Sequence, residues 1–215
     1  VCNGESPETI LNVRNYDGVI NLDNTIPTEI LENASKSDFP MIDTTRNWKR
    51  DDIVSLPLRG TKPVYDVISL AIQEGYKEFA YVHGSLDAYD DKHRYNGFIN
   101  ALKDNNLQAK AILFGDFTTE SGYDAIKDYL NKNRKLPEVV FFANDEMALG
   151  ALDYLKKTNY DLNTVKIIGF DNIPLGQYYI PSLTTIAIDR DSWTTTIVNK
   201  LFAMMDKVEL KGNEC

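Results

Sequence analysis

Four residues that follow apolar runs could together bind a polyhydroxylated molecule. Arg94 offers a planar fork of donors, Asn144 offers both a donor and an acceptor, and Asp171 can accept from two hydroxyls at once. Phe117 can stack against the C–H face of a ring. Because each residue follows a predicted strand, we expect all four on one rim of one parallel sheet, where open α/β sheets bind ligands.

Each of these residues also has a purely structural interpretation. Asn144 precedes a helical stretch and can simply cap it. Asp171 can serve as a turn residue, and Arg94 can be a surface charge paired with a neighbouring aspartate. Phe117 can belong to the core. Spacing alone does not decide between binding and these structural roles.

The sequence contains none of the common motifs of covalent catalysis. It has no G-x-S-x-G nucleophile elbow, no G-x-x-x-x-G-K-[ST] phosphate loop and no G-x-G-x-x-G dinucleotide fingerprint. Its two histidines stand ten residues apart without a C-x-x-C, so we expect neither a metal site nor a cofactor. We expect His93 to be solvated and His83 to fill a rim position at a strand end. The sequence favours a binding protein over an enzyme.

Composition excludes further classes of function. The 215 residues carry a formal net charge of −9, and such a surface repels phosphates, so we do not expect this chain to bind nucleic acid by itself. There is no run of 18 apolar residues, and no membrane span is predicted. The only cysteines, Cys2 and Cys215, are not expected to form a structural disulfide and fit a reducing, cytoplasmic setting. The first residue is Val, and both ends look cut, so we expect further sequence on either side.

Apolar runs alternate with amphipathic stretches along the chain. The strand candidates are Tyr16–Leu22, Phe39–Asp43, Asp52–Leu56, Glu78–His83, Gln108–Phe114, Glu138–Phe142, Val165–Phe170 and Leu183–Ile188. Apolar residues at helical spacing stand between most of them, in sets that begin at Val64, Tyr95, Ala148 and Ile197. Strands that alternate with helices of this length predict an α/β fold with a parallel sheet.

Four segments resemble motifs of the LacI/GalR family of transcriptional regulators. Arg94–Leu102 resembles R-x-x-G-F-x-x-A-L, and Ala143–Gly150 resembles A-N-D-x-x-A-x-G. Gly169–Pro174 followed by Pro181–Ile186 resembles G-[FY]-D-[DN] followed by P-x-L-T-T-[IV]. Tyr16–Ile20 matches the early D-G-[IV]-I strand. The four occur in the order and spacing of the family over nearly the whole chain, which makes the combination specific.

The resemblance implies a periplasmic-binding-protein-like fold of class I, with two Rossmann-like parallel-sheet lobes joined by a multi-strand hinge. By analogy, residues 1–57 and 188–215 form the first lobe, from which a first strand and helix are missing. Residues 58–187 form the second lobe. The chain departs from the family at Arg59-Gly60, where Asp-Asn is usual, and at Gly75-Tyr76, where Gly-His is usual. Neither departure changes the expected fold.

The resemblance also assigns roles to residues. The family residues that contact the effector match Arg94, Asn144 and Asp171, and the aromatic residue that often lines the same pocket matches Phe117. Three residues that follow the first two predicted strands complete the candidates. The candidate ligand-binding residues are thus Arg94, Asn144, Asp171, Phe117, Asn21, Asp43 and Arg46.

We therefore expect the effector-binding and dimerisation core of a sugar-responsive repressor. A sugar or phosphosugar would bind between the lobes and alter the affinity of a helix-turn-helix domain, absent from this chain, for operator DNA. The partners would be this effector, a second copy of the chain and the operator, in the cytoplasm and without a membrane. An extracytoplasmic sugar receptor of a transport system is the alternative, but Pro181–Ile186 favours the repressor.

Overall fold

The structure is a computed structural model that describes residues 16–22, 26–36, 39–50, 52–58 and 60–206. Its strands are β1 (Val19–Asn21), β2 (Met41–Asp43), β3 (Val54–Ser55), β4 (Phe79–His83), β5 (Ala111–Phe114), β6 (Val139–Phe142), β7 (Lys166–Phe170) and β8 (Thr184–Ile186). Its α-helices are α1 (Thr28–Ser35), α2 (Thr61–Gln73), α3 (Tyr89–Asp104), α4 (Thr119–Lys132), α5 (Asp145–Lys157) and α6 (Arg190–Met205). Short 3-10 turns cover Leu162–Thr164 and Pro174–Tyr178.

The α/β prediction is confirmed. Each predicted strand contains an observed one that is shorter at one or both ends, and the strand pairs described are parallel. The helical stripes that begin at Val64, Tyr95, Ala148 and Ile197 lie in α2, α3, α5 and α6. Cys2, Cys215 and Arg59 lie outside the described residues.

Contacts divide the described residues into two compact units. The first unit comprises the residues up to Leu58 together with those from Asp189 onward, and the second runs from Gly60 to Ile188. In the first unit, β1, β2 and β3 form a parallel sheet in that order. Helix α6 packs against β1 and β2, and its Trp193 indole donates to the carbonyl of Leu56 at 3.0 Å. The core of this unit includes the fully buried side chains of Leu31 and Met41.

The second unit is built on a five-stranded parallel sheet in the order β5-β4-β6-β7-β8. Every residue of β4 and β6 is buried, and because neighbouring side chains on a strand point to opposite faces, both faces of the sheet are covered. The strand order reverses beside β4, with β5 on one side and β6 on the other. In open α/β sheets, the crevice outside the carboxyl ends of the strands at such a reversal is where ligands bind.

Two helix pairs of the second unit pack closely at glycines. A Cβ on Gly97 in α3 would overlap the carbonyl oxygen of Thr61 in α2, and one on Gly150 in α5 would overlap that of Thr119 in α4. These backbones can approach only because a side chain is missing. The first contact sets how α3, which carries Arg94, lies against α2.

We expect Gly97→Ala to lower the free energy of unfolding by about 1–3 kcal/mol, because the overlap outweighs the better helix propensity of Ala. Urea denaturation measures the change. Asn96→Ala, at an exposed position one residue away, should change the free energy by no more than about 0.5 kcal/mol. Equal stability of the two variants would contradict the close approach of α2 and α3.

Candidate functional site

The four candidate residues of the second unit lie along one rim of its sheet. Phe117 follows β5, Asn144 follows β6 and Asp171 follows β7, each just past the carboxyl end of its strand. Gly84 occupies the equivalent place after β4, and Arg94 reaches this rim from the second turn of α3. Since the strands are parallel, residues far apart in sequence meet at the same edge.

Arg94 is buried and held on several sides. One terminal nitrogen, Nη1, donates to the carbonyl of Ala143. The other, Nη2, lies 2.9 Å from Asp90 Oδ2 and 3.9 Å from Asp171 Oδ1. The guanidinium lies over the ring of Phe170, 4.0 Å from its centroid. Among the described residues, Nε is buried without a hydrogen-bond partner, so one strong donor of this group is unused.

Asn144 caps α5, which is the structural role that its position in the sequence predicted. Its Oδ1 accepts from the backbone N–H of Met147 at 3.1 Å, and its Nδ2 donates to the carbonyl of Phe117 at 2.9 Å. An amide nitrogen carries two hydrogens and an amide oxygen two lone pairs, so each end retains the capacity for one further bond. Capping and ligand binding are therefore compatible roles of this side chain.

Two glycines make room for the larger side chains of the rim. Phe117 has a left-handed backbone, with φ of 70°, and its half-buried ring covers Gly84 so closely that a Cβ there would overlap it. A Cβ on Gly60 would lie 2.6 Å from Cγ of Arg94 and 3.3 Å from the ring of Phe170. The ring of Phe117 and the aliphatic stem of Arg94 thus occupy space that a larger residue at Gly84 or Gly60 would fill.

The loop that carries Asp171 is held by a buried carboxylate. Asp145, fully buried at the start of α5, accepts from the hydroxyl of Thr185 at 2.6 Å and from the backbone N–H of Ile173 at 2.9 Å. Burial raises the pKa of Asp145, against the lowering effect of these hydrogen bonds. Asp171 and Asn172 both have positive φ, at 117° and 53°. The hydrogen bonds of Asp145 stabilise this unusual backbone.

Arg94, Asn144, Phe117 and Asp171 are therefore neighbours. Arg94 approaches Asp171 and bonds to the residue before Asn144, and Asn144 bonds to Phe117. A guanidinium, an amide, a carboxylate and an aromatic ring share one buried to half-buried rim. This arrangement can hold vicinal hydroxyls by paired hydrogen bonds, with the ring against an apolar face.

The first unit brings Asn21, Asp43 and Arg46 together at the carboxyl ends of β1 and β2. Asn21 Nδ2 donates to Asp43 Oδ1 at 3.1 Å, and Arg46 Nη1 lies 3.4 Å from Asp43 Oδ2. Asp43 is fully buried and also accepts from Trp48 Nε1 at 2.6 Å and from Thr45 N at 2.8 Å. With its oxygens so occupied, Asp43 orders the loop, and the partly exposed Arg46 is better placed to contact a ligand.

Both histidines have specific partners. His83, expected to fill a rim position, is buried, and its Nδ1 lies 2.7 Å from Oδ2 of Asp91, whose Oδ1 accepts from the hydroxyl of Tyr81 at 2.8 Å. Sequence reasoning missed this trio, although two polar aromatics at alternate positions of an apolar strand signal a shared polar partner. His93, expected to be solvated, is half-buried, and its Nδ1 lies 2.9 Å from the Thr61 hydroxyl.

Among the residues that the structure describes, no group of three or more His, Cys, Asp or Glu side chains could hold a metal ion. None of their helices is both long and apolar enough to cross a membrane.

Comparison with known proteins places the chain in a family. The profile of the Periplasmic binding protein-like domain family matches residues 69–214. The HTH-type transcriptional repressor PurR of Actinobacillus pleuropneumoniae is 31% identical over 198 residues, which cover 86% of this chain and 58% of PurR. Catabolite control protein A of Priestia megaterium is 28% identical over 177 residues, which cover 80% of this chain and 53% of that protein. The chain thus spans somewhat more than half the length of these relatives.

A solved structure of a LacI-family regulator is also similar to this chain. The crystal structure of a sugar-binding transcriptional regulator (LacI family) from Enterococcus faecalis has a TM-score of 0.85 and 29% identity, and the match covers 97% of this chain and 76% of that one. The fold and the rim define a periplasmic-binding-protein-like domain, as predicted. The chain belongs to the LacI/GalR family of transcriptional regulators. The names of these relatives agree with the expectation of a protein that is not an enzyme.

The raised pKa of Asp145 predicts how stability depends on pH. The folded protein keeps this proton at pH values where the unfolded chain has lost it, so the contribution of Asp145 to the free energy of unfolding decreases as pH rises from the ordinary value of 3.8. We expect the stability difference between the native protein and Asp145→Asn, measured by urea denaturation from pH 3 to pH 7, to shrink with rising pH.

Asp116 provides a control of opposite sign. Hydrogen bonds, the largest from the Thr118 side chain, lower the pKa of this exposed carboxylate, so its contribution is present above 3.8 and is lost as pH falls. The stability difference between the native protein and Asp116→Asn should therefore grow with rising pH. The same trend for both variants would contradict the burial of Asp145.

Proposed function

We propose that this chain is the effector-binding core of a transcriptional repressor that responds to a sugar or a sugar-like metabolite. The observation that carries the proposal is the rim on which Arg94, Asn144, Asp171 and Phe117 adjoin. Such a set suits polyhydroxylated molecules, because neighbouring hydroxyls both donate and accept while the C–H face of the ring is apolar.

The rim has bonding capacity to spare for a ligand. The amide of Asn144 can make one further bond at each end, since its oxygen accepts from one donor and its nitrogen donates to one acceptor. The Arg94 guanidinium is already stacked on Phe170 and bonded to Ala143, so a ligand would meet a preorganised donor. Less conformational entropy is then lost on binding.

The first unit supplies a second set of candidates. Its cluster of Asn21, Asp43 and Arg46 also stands at the carboxyl ends of parallel strands, and the resemblance to the family implies that one effector contacts both units. We propose further that the effector binds between the two lobes and shifts their relative arrangement. It can do so only if it binds one arrangement better than the other.

The proposed output is a change in affinity for operator DNA. PurR is named as an HTH-type transcriptional repressor and the Enterococcus faecalis protein as a sugar-binding transcriptional regulator, which supports a DNA-binding domain in the whole protein. A homodimer, in the cytoplasm, would couple two effector sites to a two-fold operator. The names of the relatives favour this proposal over a sugar receptor of a transport system.

Isothermal titration calorimetry of the chain against a panel of carbohydrates tests the proposal. The panel contains D-glucose, D-galactose, D-ribose, D-fructose, maltose, sucrose, cellobiose, trehalose and their phosphate esters. We expect at least one carbohydrate to bind. Asp171→Asn and Arg94→Lys should each weaken that binding about thirtyfold or more, because an unpaired buried partner of a charged group costs about 2 kcal/mol or more.

Asp128→Asn removes an exposed carboxylate from α4 and is the matched control, for which affinity should stay unchanged. The proposal fails if no member of the panel binds. The assignment of the rim fails if a carbohydrate binds with equal affinity to the native protein and to both rim variants.

A further inference from the structure

A buried polar cluster lies directly behind the candidate rim. Asp91, in the first turn of α3, is fully buried and accepts from the Tyr81 hydroxyl at 2.8 Å and from His83 Nδ1 at 2.7 Å. Tyr81 is also fully buried, and His83 is only 6% exposed. We call these three residues the Tyr81–Asp91–His83 cluster.

Each bond of the cluster has a defined direction. A carboxylate can only accept, so His83 carries a hydrogen on Nδ1 and Tyr81 donates its own. Burial and the nearby charge of Asp91 raise the pKa of Tyr81 well above 10, which keeps its hydroxyl protonated. Tyr81 uses one carboxylate oxygen and His83 the other. Both oxygens of Asp91 thus have a donor from β4.

The stability of this part of the core does not by itself require the polar groups of the cluster. The cluster lies among aromatic rings, with His83 stacked on Phe114 and Tyr81 edge-on to Tyr95. Well-packed apolar side chains often stabilise such a site as well as buried polar groups do, because a buried charge must first lose its water. Directional hydrogen bonds have a different effect: they fix the rotation and the register of one element against another.

The cluster connects two parts of the candidate site. Asp91 lies three residues before Arg94, one helical turn away on α3. His83 directly precedes Gly84, on whose backbone the ring of Phe117 rests. Two hydrogen bonds therefore tie α3, which carries the guanidinium, to the end of β4, beside which this aromatic ring lies.

We infer that Tyr81, Asp91 and His83 are positioning residues that hold α3 on β4 so that the Arg94 guanidinium lies at the ligand-binding rim. None of the three is assigned to contact the ligand. The consequence for carbohydrate affinity rests on the proposed function, whereas the effect on the guanidinium does not.

The position of the guanidinium can be followed without any ligand. In a ¹⁵N-labelled sample of the full chain, the buried Nε–H of Arg94 gives a side-chain signal that Arg94→Lys identifies by its loss. We expect Tyr81→Phe and His83→Leu to move or broaden this signal, because each removes one donor to Asp91. His83→Asn can place an amide donor where Nδ1 lies and should retain a signal close to the native one.

Tyr65→Phe is the matched control. It also removes a tyrosine hydroxyl bonded to an aspartate of α3, but at the other end of the helix, where Tyr65 donates to Asp104 at 3.0 Å. This variant should leave the Arg94 signal in place. If circular dichroism shows that His83→Leu does not fold, the Arg94 signal in Tyr81→Phe tests the inference by itself, because this variant removes only one oxygen atom.

Calorimetry gives the second readout, with whichever carbohydrate of the panel above binds the native chain. Tyr81→Phe and His83→Leu should weaken its binding about tenfold, as expected when a binding group is misplaced by a fraction of an ångström, and His83→Asn should restore most of the affinity. If no carbohydrate binds, the proposed function fails while the signal of Arg94 still tests the positioning role.

An unchanged Arg94 signal in folded Tyr81→Phe and His83→Leu would overturn the inference, even if both variants melt at lower temperature, because the cluster would then only stabilise the fold. An equal displacement in Tyr65→Phe would overturn it too, because any loosening of α3 would have the same effect. Displacement in the two cluster variants alone, with recovery in His83→Asn, would support it.

Discussion

The burial of one guanidinium organises the rim of the second unit. A charge removed from water must be compensated by hydrogen bonds and by nearby opposite charge, or it destabilises the fold. Arg94 obtains this compensation from the carbonyl of Ala143, two carboxylates and the face of Phe170. The missing side chain at Gly60 leaves the space that the arginine occupies. The guanidinium thus joins its own helix to the segments after β6 and β7, and Asn144 joins the fourth part of the rim by its bond to Phe117.

Buried aspartates have a second, repeated role. Asp43, Asp91 and Asp145 are each fully buried, and each accepts hydrogen bonds from at least two groups. None is well exposed to a ligand, but each orders the loop or helical turn beside a candidate binding residue. The residues supported in this way are Arg46, Arg94 and Asp171. The acids that hold the candidate site are thus distinct from Arg46, Arg94 and Asp171, the side chains proposed to face a ligand, and a preorganised site needs both kinds.

Much of the fold was predictable because it depends on local pattern. Runs such as Val139–Phe142 are apolar at every position, which is typical of a strand covered on both faces, and the stripe that begins at Ala148 has helical period. Strand ends were less predictable. Gln108–Phe114 was expected as one strand, but only Ala111–Phe114 pairs with β4, because pairing ends where the neighbouring strand ends. Motif spacing then predicted the family, which the comparisons confirmed.

The sequence by itself determined the parallel α/β architecture, the family and the chemical types of the candidate binding residues, since periodicity and motif order are properties of the chain alone. Only the tertiary structure decided which side chains meet. It showed that Asn144 bonds to Phe117, and that Asp91 joins Tyr81 to His83. These contacts join residues 8 to 27 positions apart, and their partners are set by strand order and helix packing. No local pattern encodes such distances, because they are fixed only when parallel strands bring their carboxyl ends to a common edge.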